Sequence, residues 1–130
     1  MAVVLIIDDN AQIRDLWADS LSEAGFDVRA APSGVQGMEI ARAEKVDVIV
    51  TDIFMPEKDG IETLLEIKSV RPQAKVLVVS GGSAMMDKSF LEVAERLGAD
   101  ATLQKPVDID RFCELVTRLA EGAKGVPDRE

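Results

Sequence analysis

The chain has 130 residues, 47% of them apolar, and 24 acidic against 15 basic side chains, for a net charge of −9. That is the length of one domain with a full core, and the scattered Lys and Arg argue against a nucleic-acid surface or an anionic membrane as partner. The chain contains no histidine, which excludes a Ser-His-Asp or Cys-His triad and a histidine metal site; its chemistry must use carboxylates, hydroxyls, lysines and backbone.

The opening "MAVVLIIDDN" has no basic segment and turns acidic after seven residues. It reads as a first strand over residues 2–7, not as a signal peptide. Ile13, Leu16, Trp17, Leu21 and Ala24 follow helical spacing, with Gly25 as the stop. A mixed strand over 28–31 comes next, then a helix marked by Val35, Met38, Ile40 and Ala41. The apolar run at 46–51 predicts a buried strand ending in Asp52. Ile61, Leu64, Leu65 and Ile67 give a third helix, closed before Pro72. A strand over 76–80 leads to a fourth helix marked by Phe90, Leu91, Ala94 and Leu97 and stopped at Gly98. A weak strand over 101–104 precedes a fifth helix carrying Ile109, Phe112, Cys113, Val116 and Leu119, with Asp108 as its N-cap. The polar tail divides the chain into a domain over 1–121 and a tail over 122–130.

No apolar run approaches the length of a bilayer span. Cys113 is the single cysteine and has no internal disulfide partner, which fits a reducing cytoplasm.

Five β-α alternations predict a doubly wound parallel sheet with helices on both faces. The first, third and fourth strands are almost wholly apolar, as central strands should be, whereas "DVRAA" reads as an edge. The expected architecture is therefore a flavodoxin-like (βα)5 fold with strand order 2-1-3-4-5.

In such sheets ligands bind beyond the carboxyl ends of the strands, at the switch point in strand order. Asp8 and Asp9 end the first strand, Asp52 the third, Ser80 the fourth and Lys105 the fifth. Each has a plainer reading: a helix cap, a turn residue, a loop start, a solvated lysine. Their convergence on one edge favours a site. Three carboxylates there repel one another unless a cation joins them. Mg²⁺ suits the set, because it takes one or two carboxylates and leaves room for a phosphoryl oxygen. Lys105 adds a positive charge and Ser80 a hydroxyl donor. The combination points to phosphoryl transfer with Asp52 as nucleophile.

The pieces "LIIDDN", "VIVTDIFMPEKDG", "VLVVSGG" and "LGADATLQKPV" closely resemble the receiver (CheY-like) domain of two-component response regulators, over residues 5 to 107. The resemblance implies that Asp52 is the phosphoacceptor, Asp9 a direct Mg²⁺ ligand, and Asp8 a holder of the metal through water. It implies a backbone ligand from the carbonyl of Phe54, a hydroxyl from Ser80 that moves to meet the phosphoryl group, an ion pair from Lys105, and a cis bond before Pro106. Donors in this family are phosphohistidines on a sensor histidine kinase or a phosphotransfer protein. The output passes to a downstream protein target, here with no output domain after the fifth helix. The chain is then a cytoplasmic signalling switch that catalyses its own phosphotransfer and autodephosphorylation, not an enzyme acting on a metabolite.

Two features depart from the family pattern. Receivers commonly place Tyr or Phe three residues before the lysine, where this chain has Thr102. The stretch from Ser80 to Gly98 is about three residues longer than the common spacing, and the extra length falls in "GGSAMMDKS". Met85 and Met86 there are either satellite core or an adaptable partner surface. With Thr102 unable to swing a ring, the switch is expected to act through Gly81, Gly82 and the residues that follow.

Two other readings fare worse. A haloacid-dehalogenase-like phosphatase also uses a strand-end Asp, but wants a second acid two residues on, where Phe54 stands. A flavodoxin-like cofactor binder needs a phosphate loop after the first strand, where "DDNAQ" would repel phosphate.

Overall fold

The computed structural model describes residues 2–52, 60–80 and 92–123. Five strands, β1 (Val3–Ile7), β2 (Asp27–Ala31), β3 (Val48–Asp52), β4 (Lys75–Ser80) and β5 (Ala101–Gln104), form one sheet. All neighbouring pairs are parallel and the order is β2-β1-β3-β4-β5. The intervening helices are α1 (Ala11–Glu23), α2 (Gly34–Ala43), α3 (Gly60–Val70), α4, described over 92–96, and α5 (Ile109–Ala123). This is the flavodoxin-like fold expected from the alternation.

Local chemistry starts and stops the helices. Asn10 caps α1 by accepting a hydrogen bond from Ile13 N at 3.1 Å, and Ser33 caps α2 by accepting from Gln36 N at 3.2 Å. Asp108 accepts from Arg111 N at 3.1 Å at the start of α5. Each cap satisfies an N–H that the first turn leaves without an intrahelical partner. Gly25 follows the C-cap Ala24 with φ 102°, and Gly98 has φ 116°. Both adopt the left-handed region that glycine enters without a Cβ penalty.

β3 begins two residues later than the apolar run suggests and includes Asp52. Val46 is buried but lies before the strand. The Asp47 carboxylate accepts from Val3 N at 2.8 Å, and Asp47 N donates to Val3 O at 2.8 Å. That pair of bonds sets where β1 and β3 enter the sheet.

Side chains alternate across a strand with period two, so each strand supplies two cores. Leu5, Ile7, Ile49, Val76 and Val78 join Met38, Leu64, Ile67 and Ala94 on the face covered by α2, α3 and α4. Val4, Ile6, Val48, Val50, Leu77 and Val79 join Trp17, Leu21, Phe112 and Val116 on the face covered by α1 and α5. Fully burying one such Leu, Ile or Phe is worth about 1.5–3 kcal/mol. The two-sided core fixes the sheet, and with it the places of the residues at the strand ends.

Candidate functional site

The register of the sheet decides which strand ends meet. Ile7 pairs with Thr51 across β1 and β3, so Asp8 and Asp52 follow side by side. Asp52 continues the parity of Val48 and Val50, and Lys105 that of Ala101 and Leu103. Asp8, Asp52 and Lys105 therefore share the α1/α5 face. Ser80 has the parity of Val76 and Val78, and belongs to the opposite face.

Asp8 is fully buried and Asp52 is 5% exposed. Lys105 joins them: its Nζ donates to Asp52 Oδ2 at 2.7 Å and to Asp8 Oδ2 at 3.1 Å. The other carboxylate oxygen of Asp8 accepts from Asn10 N at 2.8 Å, and Arg14 Nη1 donates to Asp8 O at 2.7 Å. Burial pushes the Lys105 ammonium pKa down. The hydrogen bond and charge of Asp52, followed by those of Asp8, push it up by more, and the net direction is upward from 10.5. The two carboxylates thus outweigh burial and favour the charged form of the ammonium.

Asp9 is exposed, yet one carboxylate oxygen from each of Asp8, Asp9 and Asp52 lies within 4.8 Å of the others. Three hard oxygen donors at that spacing fit a small divalent cation. Ser80 lies on the strand next to Asp52, and its buried hydroxyl has no hydrogen-bond partner among the described residues. A buried hydroxyl without a partner is uncommon in a folded chain. Ser80 O accepts from Lys105 N at 2.6 Å, so the serine and lysine are also joined through backbone.

The structure thus brings together Asp8, Asp9, Asp52 and Lys105, with Ser80 on the adjoining strand. Thr102 is not among them. Its hydroxyl donates to Glu95 Oε2 at 3.3 Å and links β5 to α4. The Lys105–Pro106 bond is cis. Phe54, Gly81, Gly82, Met85, Met86, Phe90 and Leu91 lie outside the described residues. A cleft of about 230 Å³ lined by Lys45, Val46, Asp47 and 70–74 sits at the opposite edge of the sheet and touches none of the clustered acids.

Two neighbours escaped sequence reasoning. Arg14 grips the Asp8 carbonyl, and Trp17, read only as one of the helically spaced residues of the first helix, has its ring centroid 5.8 Å from Lys105 Nζ. Their i, i+3 spacing on α1 places them on one side of the helix. Nothing in the sequence says that this side faces Asp8 and Lys105.

Residues 4–117 match the family model of the response regulator receiver domain. The chemotaxis protein CheY of Bacillus subtilis is 37% identical over 116 residues, covering 88% of this chain and 94% of that protein. CheY of Thermotoga maritima is 33% identical over 119 residues, covering 91% and 97%. A solved CheY-like receiver domain protein from Methanospirillum hungatei JF-1 superimposes with a TM-score of 0.88 at 25% identity, covering 98% of this chain and 99% of that one.

Proposed function

The chain belongs to the response regulator receiver domain family, and from that premise we propose that Asp52 is its phosphoacceptor. Receivers of two-component systems are phosphorylation-controlled switches, and membership implies a kinase or phosphotransfer partner. The observation that carries the residue assignment is the reach of Lys105 Nζ to both Asp52 and Asp8. It supports a nucleophilic carboxylate whose charge, and that of the group it accepts, is already answered by a fixed cation.

In the proposed step an Asp52 carboxylate oxygen attacks the phosphorus of a phosphohistidine. The P–N bond breaks, its electrons return to the departing imidazole, and an acyl phosphate remains on Asp52. Lys105 pairs with the phosphoryl oxygens as they approach, and the Ser80 hydroxyl supplies a donor for one of them. Asp8 and Asp9, with Asp52 and the carbonyl of Phe54, would hold Mg²⁺. When bound, that ion offsets the negative charge gathering on the phosphoryl oxygens. Hydrolysis of the acyl phosphate by the same site would reset the switch, which makes the chain a catalyst of its own modification. The reading carries with it a sensor kinase or phosphotransfer protein as donor, a downstream protein as target and a cytoplasmic setting. Among the described residues no helix is long and apolar enough to cross a membrane.

Acetyl phosphate and Mg²⁺ provide the test, read by intact mass and peptide mapping. Wild type gains one phosphoryl group on Asp52, and Asp52→Asn and EDTA-treated protein gain none. A label that persists in Asp52→Asn removes the assignment.

A further inference from the structure

Lys105 is a long, flexible side chain whose charge must stand in one place to serve two carboxylates and a phosphoryl group. The two carboxylates explain part of that placement. A further neighbour among the described residues is aromatic: the Nζ stands 5.8 Å from the centroid of the Trp17 ring, within the range where a cation is drawn to an indole face. The ring is itself fixed. Trp17 is 3% exposed and stacks on the fully buried Phe112, with centroids 4.7 Å apart and planes 25° from parallel. α1 and α5 thus clamp the indole before any ligand arrives.

We propose that Trp17 is a positioning residue for Lys105, its indole face setting where the ammonium stands beside Asp8 and Asp52. The inference rests on the reading of Lys105 as partner of the phosphoryl group. When Asp52 accepts that group, the oxygen facing Lys105 changes, and the hydrogen bond to Asp52 must be exchanged for one to the phosphoryl. The indole face is a contact that this exchange does not consume. It keeps the ammonium at the site while the anionic partners rearrange. The plainer reading, that Trp17 only fills the core beneath α1 and α5, makes different predictions. A core filler answers to volume, whereas a positioning ring answers to the aromatic face and to the charge of residue 105.

The experiment compares Trp17→Phe, which keeps a smaller ring, with Trp17→Leu, which keeps apolar bulk only. The initial rate of labelling by acetyl phosphate and Mg²⁺ should be about three- to tenfold lower in Trp17→Leu, and Trp17→Phe should recover most of it. Equal rates in all three folded proteins, or equal losses in both variants, overturn the proposal. Melting of Trp17→Leu, Lys105→Met and the double variant forms a cycle that needs no phosphorylation. The double variant should lose roughly 3 °C less than the two singles added together, and simple additivity overturns the coupling. Trp17 is the only tryptophan, so its emission gives a further readout in a chain with the indole intact. Wild type and Lys105→Met should differ in emission, and identical spectra count against the proposal. If wild type takes no label at Asp52, the functional reading fails, and the cycle still decides whether Trp17 and Lys105 are coupled.

Discussion

Lys105 Nζ lies 2.7 Å from Asp52 Oδ2 while the same ammonium reaches Asp8 Oδ2 at 3.1 Å. One cation thus spans two buried acids from different strands. Lys105→Met takes that shared cation away and should lower stability by about 1–3 kcal/mol, the lower end reflecting the partly solvated lysine. The removed charge also repels a metal ion. The thermal shift produced by Mg²⁺ should therefore be larger in Lys105→Met than in wild type. A smaller shift would place the ion elsewhere.

Mg²⁺ should stabilise the unphosphorylated protein, because it relieves repulsion among Asp8, Asp9 and Asp52 and binds only the folded chain. At a free concentration about a hundredfold above Kd the gain is about 2.7 kcal/mol. Asp9 is the exposed member of the trio, so Asp9→Ala should fold normally and lose most of the gain. Melts at matched ionic strength check this, and an unchanged shift in Asp9→Ala removes that residue from the ligand set.

α2 lies so close on β1 that a Cβ at Gly37 would stand 2.7 Å from Ile7 Cγ1 and closer still to Ile7 Cδ1. Ile7 is fully buried and has little room to give. Gly37→Ala would gain about 1 kcal/mol of helix propensity and lose about 1–3 kcal/mol to overpacking. The net expectation is a lower denaturation midpoint, partly restored by adding Ile7→Val, which removes the Cδ1 methyl. A more stable Gly37→Ala would show that the helix can shift outward.

On the β2 edge, Arg29 bridges Asp27 at 2.7 Å and Glu44 at 3.0 Å. The hydrogen bond from Arg29, followed by its charge, holds the Asp27 carboxyl below its ordinary value of 3.8. A depressed carboxyl contributes stability above that ordinary value and loses it as pH falls through the folded one. Carboxyl titration by NMR should place the Asp27 midpoint below 3.8 in wild type and move it upward in Arg29→Gln. Equal midpoints would mean that the ion pair is not maintained in solution.

Much of the fold follows from sequence because it rests on local rules. Apolar runs that alternate with helical spacing leave little choice but a parallel sheet with two covered faces, and "DVRAA" marks its own edge by composition. Asp108 announces the start of α5 because a cap's side chain acts within four residues. The acids at the ends of the first and third strands are equally legible, since a strand's end is a local fact and the carboxyl edge of a parallel sheet is common to all its strands.

Tertiary structure alone decides how those ends meet. Asp8 and Lys105 are 97 residues apart in sequence, and their contact depends on the register of four strands. Asp47 sets part of that register by binding the backbone of Val3 at 2.8 Å, a long-range bond with no periodic signature. Parity then sends Asp8, Asp52 and Lys105 to the α1/α5 face, and Ser80 and Thr102 to the other, because neighbouring side chains on a strand point to opposite sides. The same packing turns Trp17 from one apolar residue on a helix into the wall beside Lys105. Helical spacing fixes which face of α1 is buried, and only the docking of α1 against α5, β1 and β2 fixes what that face touches.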